Sequence, residues 1–126
     1  MAWKFNGRDP VFLQIANRLR REIVEGKYSP ACQFPSVRQI AADAAVNPNT
    51  VQKALCCLED EGILLTRGTV GRFVTDDVTI LTEAKRRILI DSARRWLEEA
   101  EELGLSPTEL IELIKKEAFQ DEHTDS

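Results

Sequence analysis

The stretch from Val46 to Leu55, VNPNTVQKAL, places several hydrogen-bonding side chains where a helix should begin. Asparagine is a strong N-cap residue, and proline is tolerated at the first helical position because its missing N–H would have no partner there. Asn47 and Pro48 therefore predict the start of a helix rather than a break in one. The polar side chains that follow are Asn49, Thr50, Gln52 and Lys53.

These side-chain types could contact the base edges of DNA. Asn and Gln pair bidentately with adenine in the major groove, whereas Arg and Lys favour guanine or phosphate. Asn47 and Thr50 could instead do no more than cap the helix, and Asn47 is expected to do so. Asn49 and Gln52 are therefore the stronger candidates for base contacts.

A second group of candidates lies outside this helix. Ser36 and Gln39 have the spacing of a capping box, which puts Arg38 in the first turn of another helix. Arg67 and Arg72 flank the tip of a predicted hairpin, where they could reach phosphate or an adjacent minor groove. The full set of candidate DNA-contacting residues is Ser36, Arg38, Asn47, Asn49, Thr50, Gln52, Lys53, Arg67, Gly68 and Arg72.

The apolar spacing around these residues predicts three helices and a hairpin. A first helix begins at Pro10, and Gly26 follows it as a stop signal. The apolar positions are Phe12, Ile15, Leu19 and Ile23 in the first helix, Val37, Ile40, Ala41 and Ala44 in the second, and Val51, Ala54, Leu55 and Leu58 in the third. Two β-prone runs in ILLTRGTVGRFVT predict the hairpin. Because few residues separate the second and third helices, this order predicts a winged helix-turn-helix.

The rest of the chain predicts a helical segment with another role. One long helix covers about residues 79–103 and ends at Gly104, and SPTE (Ser106 to Glu109) caps a last helix. Two helices alone cannot bury this much apolar surface, so they must pack on the first domain, on a second copy, or on both. The candidate dimerisation residues are Leu89, Ala93, Trp96, Leu97, Ala100, Leu110 and Ile114.

The charge distribution also divides the chain into two parts, residues 1–75 and 76–126. The first part carries ten Lys and Arg against seven Asp and Glu, or +3, and the second carries seven against fourteen, or −7. A phosphate-binding face on the first part remains open despite the net charge of −4. For Arg18, Arg20 and Arg21, on the polar face of the first helix, phosphate contact and simple solvation are equally good interpretations.

The predicted helices and hairpin together give a fold that is mainly α with a small β-hairpin. It is a winged helix-turn-helix followed by a helical dimerisation and effector segment with a polar tail.

Cysteine and histidine offer little for metal or redox chemistry. Cys32, Cys56 and Cys57 are odd in number and lack C-x-x-C spacing, which argues against a disulfide framework and against a zinc site. Cys56 and Cys57 are expected to be small residues partly packed on a helix, with a redox switch as the alternative. His123 lies in the tail FQDEHTDS and is expected to be solvated. No metal and no cofactor are predicted.

Two other classes of function agree less well with the sequence. An enzyme would need a nucleophile–base pair or a metal cluster, and one histidine with no G-x-S-x-G motif provides neither. A winged helix that binds protein instead of DNA is favoured slightly by the acidity, but the polar helix start speaks against it. Neither a signal peptide nor a run of about 18 apolar residues occurs, so we expect a cytoplasmic location.

The sequence FPSVRQIAADAAVNPNTVQKALCCLEDEGILLTRGTVGRFV resembles the winged-helix domain of GntR-type bacterial regulators. PSVR, VNPNTVQKA, LEDEGIL and GRFV carry the resemblance, in order and at the family's spacing. DPVFLQIANRLRREIVEGKYSP is similar to the family's first helix. The VNPNTV form, joined to only a short C-terminal helical segment, resembles the YtrA-like subfamily.

The resemblance implies a homodimer that binds a palindromic operator and represses nearby genes, which in this subfamily often encode ABC-type membrane transporters. It implies DNA contacts by Arg38, Asn47, Asn49, Thr50, Gln52, Arg67 and Gly68. The chain departs from the family at Ala31–Cys32, where Gly-Asp is usual, and at Arg72, where threonine is usual. Pro48 replaces the arginine or serine of many other subfamilies, which leaves more of the base recognition to Asn49 and Gln52.

The expected partners are therefore double-stranded DNA with a palindromic operator and a second copy of the chain. A small-molecule effector is a further candidate partner of unknown identity. The C-terminal helices are too short to enclose a pocket of a few hundred Å3 within one chain. This leaves the space between subunits, near Trp96, as the candidate position for an effector site.

Overall fold

The computed structural model describes residues 2–124, and it describes side chains as far as Gln120. The helices are α1 (Val11–Val24), α2 (Val37–Ala44), α3 (Pro48–Asp60), α4 (Val78–Glu102) and α5 (Pro107–Thr124), and the strands are β1 (Leu64–Arg67) and β2 (Gly71–Val74). The predicted fold class, mainly α with a small hairpin, is confirmed. No helix in the described part of the chain is long and apolar enough to cross a membrane. The His123 side chain lies outside the described residues.

The chain folds into two compact units that meet in sequence between Arg86 and Arg87. In the first unit, the predicted apolar faces of three helices form one core. Ile15, Leu19 and Ile23 of α1 are buried, and α3 packs against both α1 and α2. All four predicted inward positions of α3, which are Val51, Ala54, Leu55 and Leu58, are buried. The apolar residues of each helix recur at helical spacing, and the residues that this spacing predicts to face inward are the ones that pack together.

Side chains cap the starts of both α2 and α3, and a short link joins the two helices. Ser36 begins α2 with a complete capping box: its hydroxyl accepts the Gln39 N–H at 3.2 Å, and the Gln39 side chain accepts the Ser36 N–H at 2.8 Å. Ala45 ends α2 in the left-handed conformation, with φ of 58°. Asn47 then caps α3, so only three residues separate the two helices. This short connection gives the compact helix-turn-helix that the sequence predicts.

Strands β1 and β2 form the predicted antiparallel hairpin. Leu64 pairs with Val74 at its base, and Arg67 pairs with Gly71 near its tip. The segment before α2 lies along the other edge of β2, since the Phe34 N–H donates to the Arg72 carbonyl at 2.8 Å and Gln33 forms a bridge with Phe73. The wing, defined here as residues 64–74, is therefore held by backbone pairing on both sides of β2.

The first turns of α4 belong to the same core. Ala84 is buried in it, and Ile80 and Leu81 pack against it as partly buried side chains. The Asp77 carboxylate caps this end of α4 by accepting the Thr79 N–H at 2.9 Å. The core that supports the helix-turn-helix thus includes residues from the start of the long helix.

The second unit contains the rest of α4 and α5. Gly104, with φ of +84°, follows α4, and Ser106 starts α5 through a capping box with Glu109 at 3.1 Å in both directions. Ala100 and Leu110 are buried, whereas many other apolar side chains of this unit are exposed. Leu103, which directly follows α4, is 73% exposed.

Candidate nucleic-acid interface

At the start of α3, one residue caps the helix and another leaves its side chain exposed to solvent. The Asn47 side-chain oxygen accepts the Asn49 N–H at 2.8 Å, and its backbone carbonyl accepts the Thr50 N–H at 3.0 Å. Asn47 therefore acts as the predicted cap, and Pro48 occupies the first helical turn as predicted. The Asn49 side chain is exposed, while Thr50 is half-buried. Of these residues, Asn49 offers the freest amide group for contact with a base edge.

Gln52 and Lys53 are both exposed, one turn further along α3. The Gln52 amide lies 3.8 Å from the Cys56 sulfur, a weak contact that leaves the amide available to other partners. The Lys53 ammonium lies 4.1 Å from the centre of the Phe12 ring. This cation–π contact directs Lys53 toward α1, a placement that the helical pattern alone did not predict.

Arg38 is exposed in the first turn of α2, and it has no hydrogen-bond or ion-pair partner within the described residues. The Ser36 hydroxyl and the Gln39 amide, in contrast, are used in the capping box. A cleft of about 550 Å3 separates the start of α2 from the wing, and both Ser36 and Arg72 line it. The structure thus brings the N-terminal end of α2 and the turn end of β2 to one cleft.

The wing tip presents Arg67 and Gly68. The Arg67 guanidinium lies 5.1 Å from the centre of the Phe73 ring, so an aromatic face supports an exposed cation. Gly68 adopts a positive φ of 54°, which favours glycine, and a Cβ built there would meet no atom within 4 Å. This open tip could approach a DNA backbone closely.

Arg72 differs from the other candidate residues because its charge is already paired. Its Nε donates to Glu59 Oε1 at 2.8 Å, and the Thr66 hydroxyl donates to the other oxygen of the same carboxylate. The hydrogen bond from Thr66 lowers the pKa of Glu59 most, the Arg72 contact lowers it further, and partial burial opposes both effects. Sequence reasoning missed Glu59, because only the hairpin register places Thr66 and Arg72 opposite each other.

The three arginines of α1 also have intramolecular partners. Arg20 makes an ion pair with Glu61 at 2.6 Å. Arg18 lies 3.8 Å from the centre of the Trp3 ring, and Arg21 approaches Glu25 at 3.6 Å. These contacts favour a structural role over phosphate binding for the polar face of α1.

The second unit has an apolar groove of about 370 Å3. It is lined by Ser92, Ala93, Trp96, Leu97, Leu110, Ile111 and Ile114. Five of these residues were predicted at a dimer interface. Leu89 is exposed and Ala100 is buried, and neither lines the groove.

The cysteines are free thiols: Cys56 is exposed, and Cys32 and Cys57 are partly buried. Among the side chains that the structure describes, no group of three or more His, Cys, Asp or Glu is placed to hold a metal ion.

The structure has a compact helix-turn-helix, exposed polar side chains at the start of its second helix, and an antiparallel wing that follows. These features define a winged helix-turn-helix DNA-binding domain. Residues 12–74 match the model of the family described as bacterial regulatory proteins, gntR family. The chain belongs to this GntR family, and it is a DNA-binding transcriptional regulator rather than an enzyme.

Two relatives from Bacillus subtilis match most of the chain. The uncharacterized HTH-type transcriptional regulator YhcF is 33% identical over 112 residues, which cover 89% of this chain and 93% of YhcF. The HTH-type transcriptional repressor YtrA is 32% identical over 108 residues, or 85% of this chain and 83% of YtrA. The resemblance to YtrA-type regulators is thereby confirmed.

Solved structures agree with this assignment. A GntR family transcriptional regulator from Listeria monocytogenes superposes with a TM-score of 0.79 at 29% identity, covering 89% of this chain and 98% of that one. The DNA-binding domain of AraR, in complex with its operator ORX1, superposes with a TM-score of 0.54 at 25% identity. That match covers 57% of this chain and 93% of the AraR domain.

Proposed function

We propose that this regulator is a homodimeric repressor of transcription that binds a palindromic operator. Residues 1–75 recognise DNA, and residues 76–126 form the dimerisation segment. The observation that carries the proposal is the start of α3, where Asn47 satisfies the cap and leaves Asn49 and Gln52 exposed. The name of the YtrA relative, a transcriptional repressor, supports repression over activation.

The proposed contacts fall into two groups. Asn49 and Gln52 read base edges in the major groove, with Thr50 and Lys53 beside them at the same helix end. Positioning contacts to the DNA backbone come from Ser36, Arg38, Asn47, Arg67 and Gly68. Arg38 is the strongest of these because it is an exposed cation without a partner among the described residues. Arg72, which is paired with Glu59, acts by holding the wing in position.

Dimerisation is proposed through the exposed apolar side chains of the second unit. Trp96 is 56% exposed and Leu97 is 40% exposed beside the groove, and Ile114 is exposed on α5. Contiguous apolar surface of this kind marks an interaction site, and most soluble oligomers are symmetric dimers of identical chains. A two-fold axis would present the two α3 helices to successive major grooves.

We also propose a cellular location and a class of target genes for this regulator. A regulator of this kind acts in the cytoplasm, where it meets chromosomal DNA. The resemblance to YtrA-like regulators supports transporter genes as targets. Sequencing the genomic fragments that the protein retains would test this, and fragments without such genes nearby would remove transporters from the proposal.

Selection of DNA from a random duplex pool by the full chain tests the proposed function. The expected product is an inverted repeat whose half-sites lie about one helical turn apart, on the order of 10 bp. Enrichment of no sequence, or of a single half-site without a symmetric partner, would contradict the proposal. Affinity for duplex DNA should fall steeply as salt is added, because phosphate contacts release counterions. An affinity that does not depend on salt would favour the alternative, a winged helix that binds protein instead of DNA.

A further inference from the structure

One carboxylate connects α3 to both strands of the wing. Glu59 lies in the last turn of α3 (Pro48–Asp60), and its two oxygens accept from Arg72 Nε at 2.8 Å and from the Thr66 hydroxyl. Thr66 on β1 and Arg72 on β2 are direct partners in the hairpin register. The three side chains therefore form a clasp between the helix and the wing.

The clasp is shielded enough to matter energetically. The side chains of Arg72 and Glu59 are only 19% and 26% exposed. Ion pairs on an open surface contribute little, because solvent screens them and two side chains must be ordered. Here the carboxylate accepts two hydrogen bonds in a partly covered site, and charge-assisted hydrogen bonds of this kind are stronger than neutral ones.

The base of the wing, at Leu64 and Val74, shares the apolar core with α3, but the other hydrogen bonds of the wing do not reach α3. The Gln33 amide donates to the Val70 carbonyl at 2.9 Å, and the Phe34 N–H donates to the Arg72 carbonyl. Both fix the wing to the segment before α2. Within the described residues, Glu59 is the only α3 side chain that is hydrogen-bonded to the wing.

The clasp lies directly beside the wing tip. Arg67 and Gly71 form the next pair in the register after Thr66 and Arg72, and Gly68 follows at the turn. The distance between the start of α3 and the wing tip is thus set partly by Glu59. Holding the wing in its bound position before DNA arrives lowers the entropy lost on binding.

We propose that Glu59 is a positioning residue for DNA binding, which holds the wing against α3 so that Arg67 and Gly68 meet the DNA backbone. The inference rests on the proposed function, in which α3 and the wing contact one operator half-site. It assigns Arg72 to holding the wing rather than to binding phosphate.

The direction in which DNA affinity changes when Glu59 is removed distinguishes a positioning role from a purely electrostatic one. A carboxylate near DNA repels phosphate, so its removal on charge grounds alone would strengthen binding. Loss of a positioning residue weakens binding instead. Because the clasp aligns Arg67 with the DNA backbone in this proposal, breaking it should lower the dependence of the affinity on salt by no more than the one Arg67 contact.

Fluorescence anisotropy on the duplex that the wild-type chain enriches from a random pool tests the proposal. Glu59→Ala is expected to weaken binding about 5-fold or more, with the slope of log K against log salt lowered by no more than about one phosphate contact. Glu59→Gln keeps the shape of the side chain and is expected to weaken binding less, in the same direction. Glu61→Gln is the matched control, since it removes a carboxylate that pairs with Arg20 and not with the wing.

A double-mutant cycle with Arg67→Ala separates positioning from loss of folded protein. If Glu59 acts through the wing tip, Arg67→Ala costs less affinity in the Glu59→Ala background than in the wild type. If Glu59 only stabilises the fold, the losses of affinity caused by Glu59→Ala and Arg67→Ala are additive. The loss caused by Glu59→Ala then disappears once the affinity is corrected for the folded fraction, which circular dichroism measures. Additivity, or equal or tighter binding by both Glu59 variants, would overturn the proposal.

The outcomes also separate this inference from the proposed function. Failure of the wild-type chain to enrich any duplex overturns both. Enrichment by the wild type together with unaltered binding by the Glu59 variants overturns only the positioning role. In an Arg67→Ala background, a further fall in the salt slope on Arg72→Thr, equal to the loss of about one phosphate contact, would also overturn it, because Arg72 would then bind DNA directly.

Discussion

At the scale of single residues, Arg38 and Gln52 are the side chains whose loss should be most informative. Arg38→Ala and Gln52→Ala are each expected to weaken specific DNA binding by about 1–3 kcal/mol, because a good bidentate or charge-assisted contact is lost. Gln52→Ala should also relax the base preference at one position of the operator. Affinities for the selected duplex and for its single-base variants measure both effects.

Arg21→Ala is the matched control for Arg38→Ala. Arg21 is an exposed arginine that pairs with Glu25 on α1, outside the proposed interface. Its replacement should change DNA affinity by less than about 0.5 kcal/mol. Unchanged affinity and preference in both Arg38→Ala and Gln52→Ala would remove these residues from the interface.

The pH dependence of stability provides a second residue-scale prediction. Because the pKa of Glu59 is lowered in the folded state, its contribution to stability is fully present above the ordinary value of 4.5 and is lost as the pH falls through the lowered value. Glu59→Gln should therefore be less stable than the wild type at neutral pH, and the gap should narrow in acid. Urea denaturation across pH measures the gap, and a gap that does not vary with pH would contradict the role of the ionised carboxylate.

At the scale of elements, the N-cap of α3 couples folding to recognition. Asn47→Ala removes the side-chain oxygen that accepts the Asn49 N–H, which should lower the free energy of unfolding by about 1 kcal/mol. Asn47→Asp keeps an acceptor and should be nearly as stable as the wild type, while its charge weakens DNA binding. Thermal denaturation separates the two variants, and equal destabilisation by both would argue against the capping role.

The elements were largely predictable because their signals are local. Ser36 and Asn47 mark the starts of α2 and α3, and Gly104 and Ser106 mark the turn before α5. The Glu59 clasp and the Lys53 contact with Phe12 were not predictable. Both depend on which residues the hairpin register and the packing of α1 on α3 bring together, and no short-range pattern encodes either.

At the scale of the whole molecule, the second unit should control the oligomeric state. Leu97→Lys places a charge beside the apolar groove and should weaken dimerisation by at least about 10-fold, since an unpaired charge is costly to bury. Leu103→Lys is the matched control, because Leu103 is exposed and does not line the groove. Sedimentation analysis of both variants measures the dissociation constant, and equal dimerisation by the two would exclude the groove from the interface.

The central claim is that two identical winged domains bind one symmetric operator. Gel-shift titration with the selected palindrome and with an isolated half-site tests it most directly. The account predicts much tighter binding to the palindrome, because the second half-site is engaged at a high effective concentration once the first is bound. Comparable affinity for the half-site and the full palindrome would contradict it.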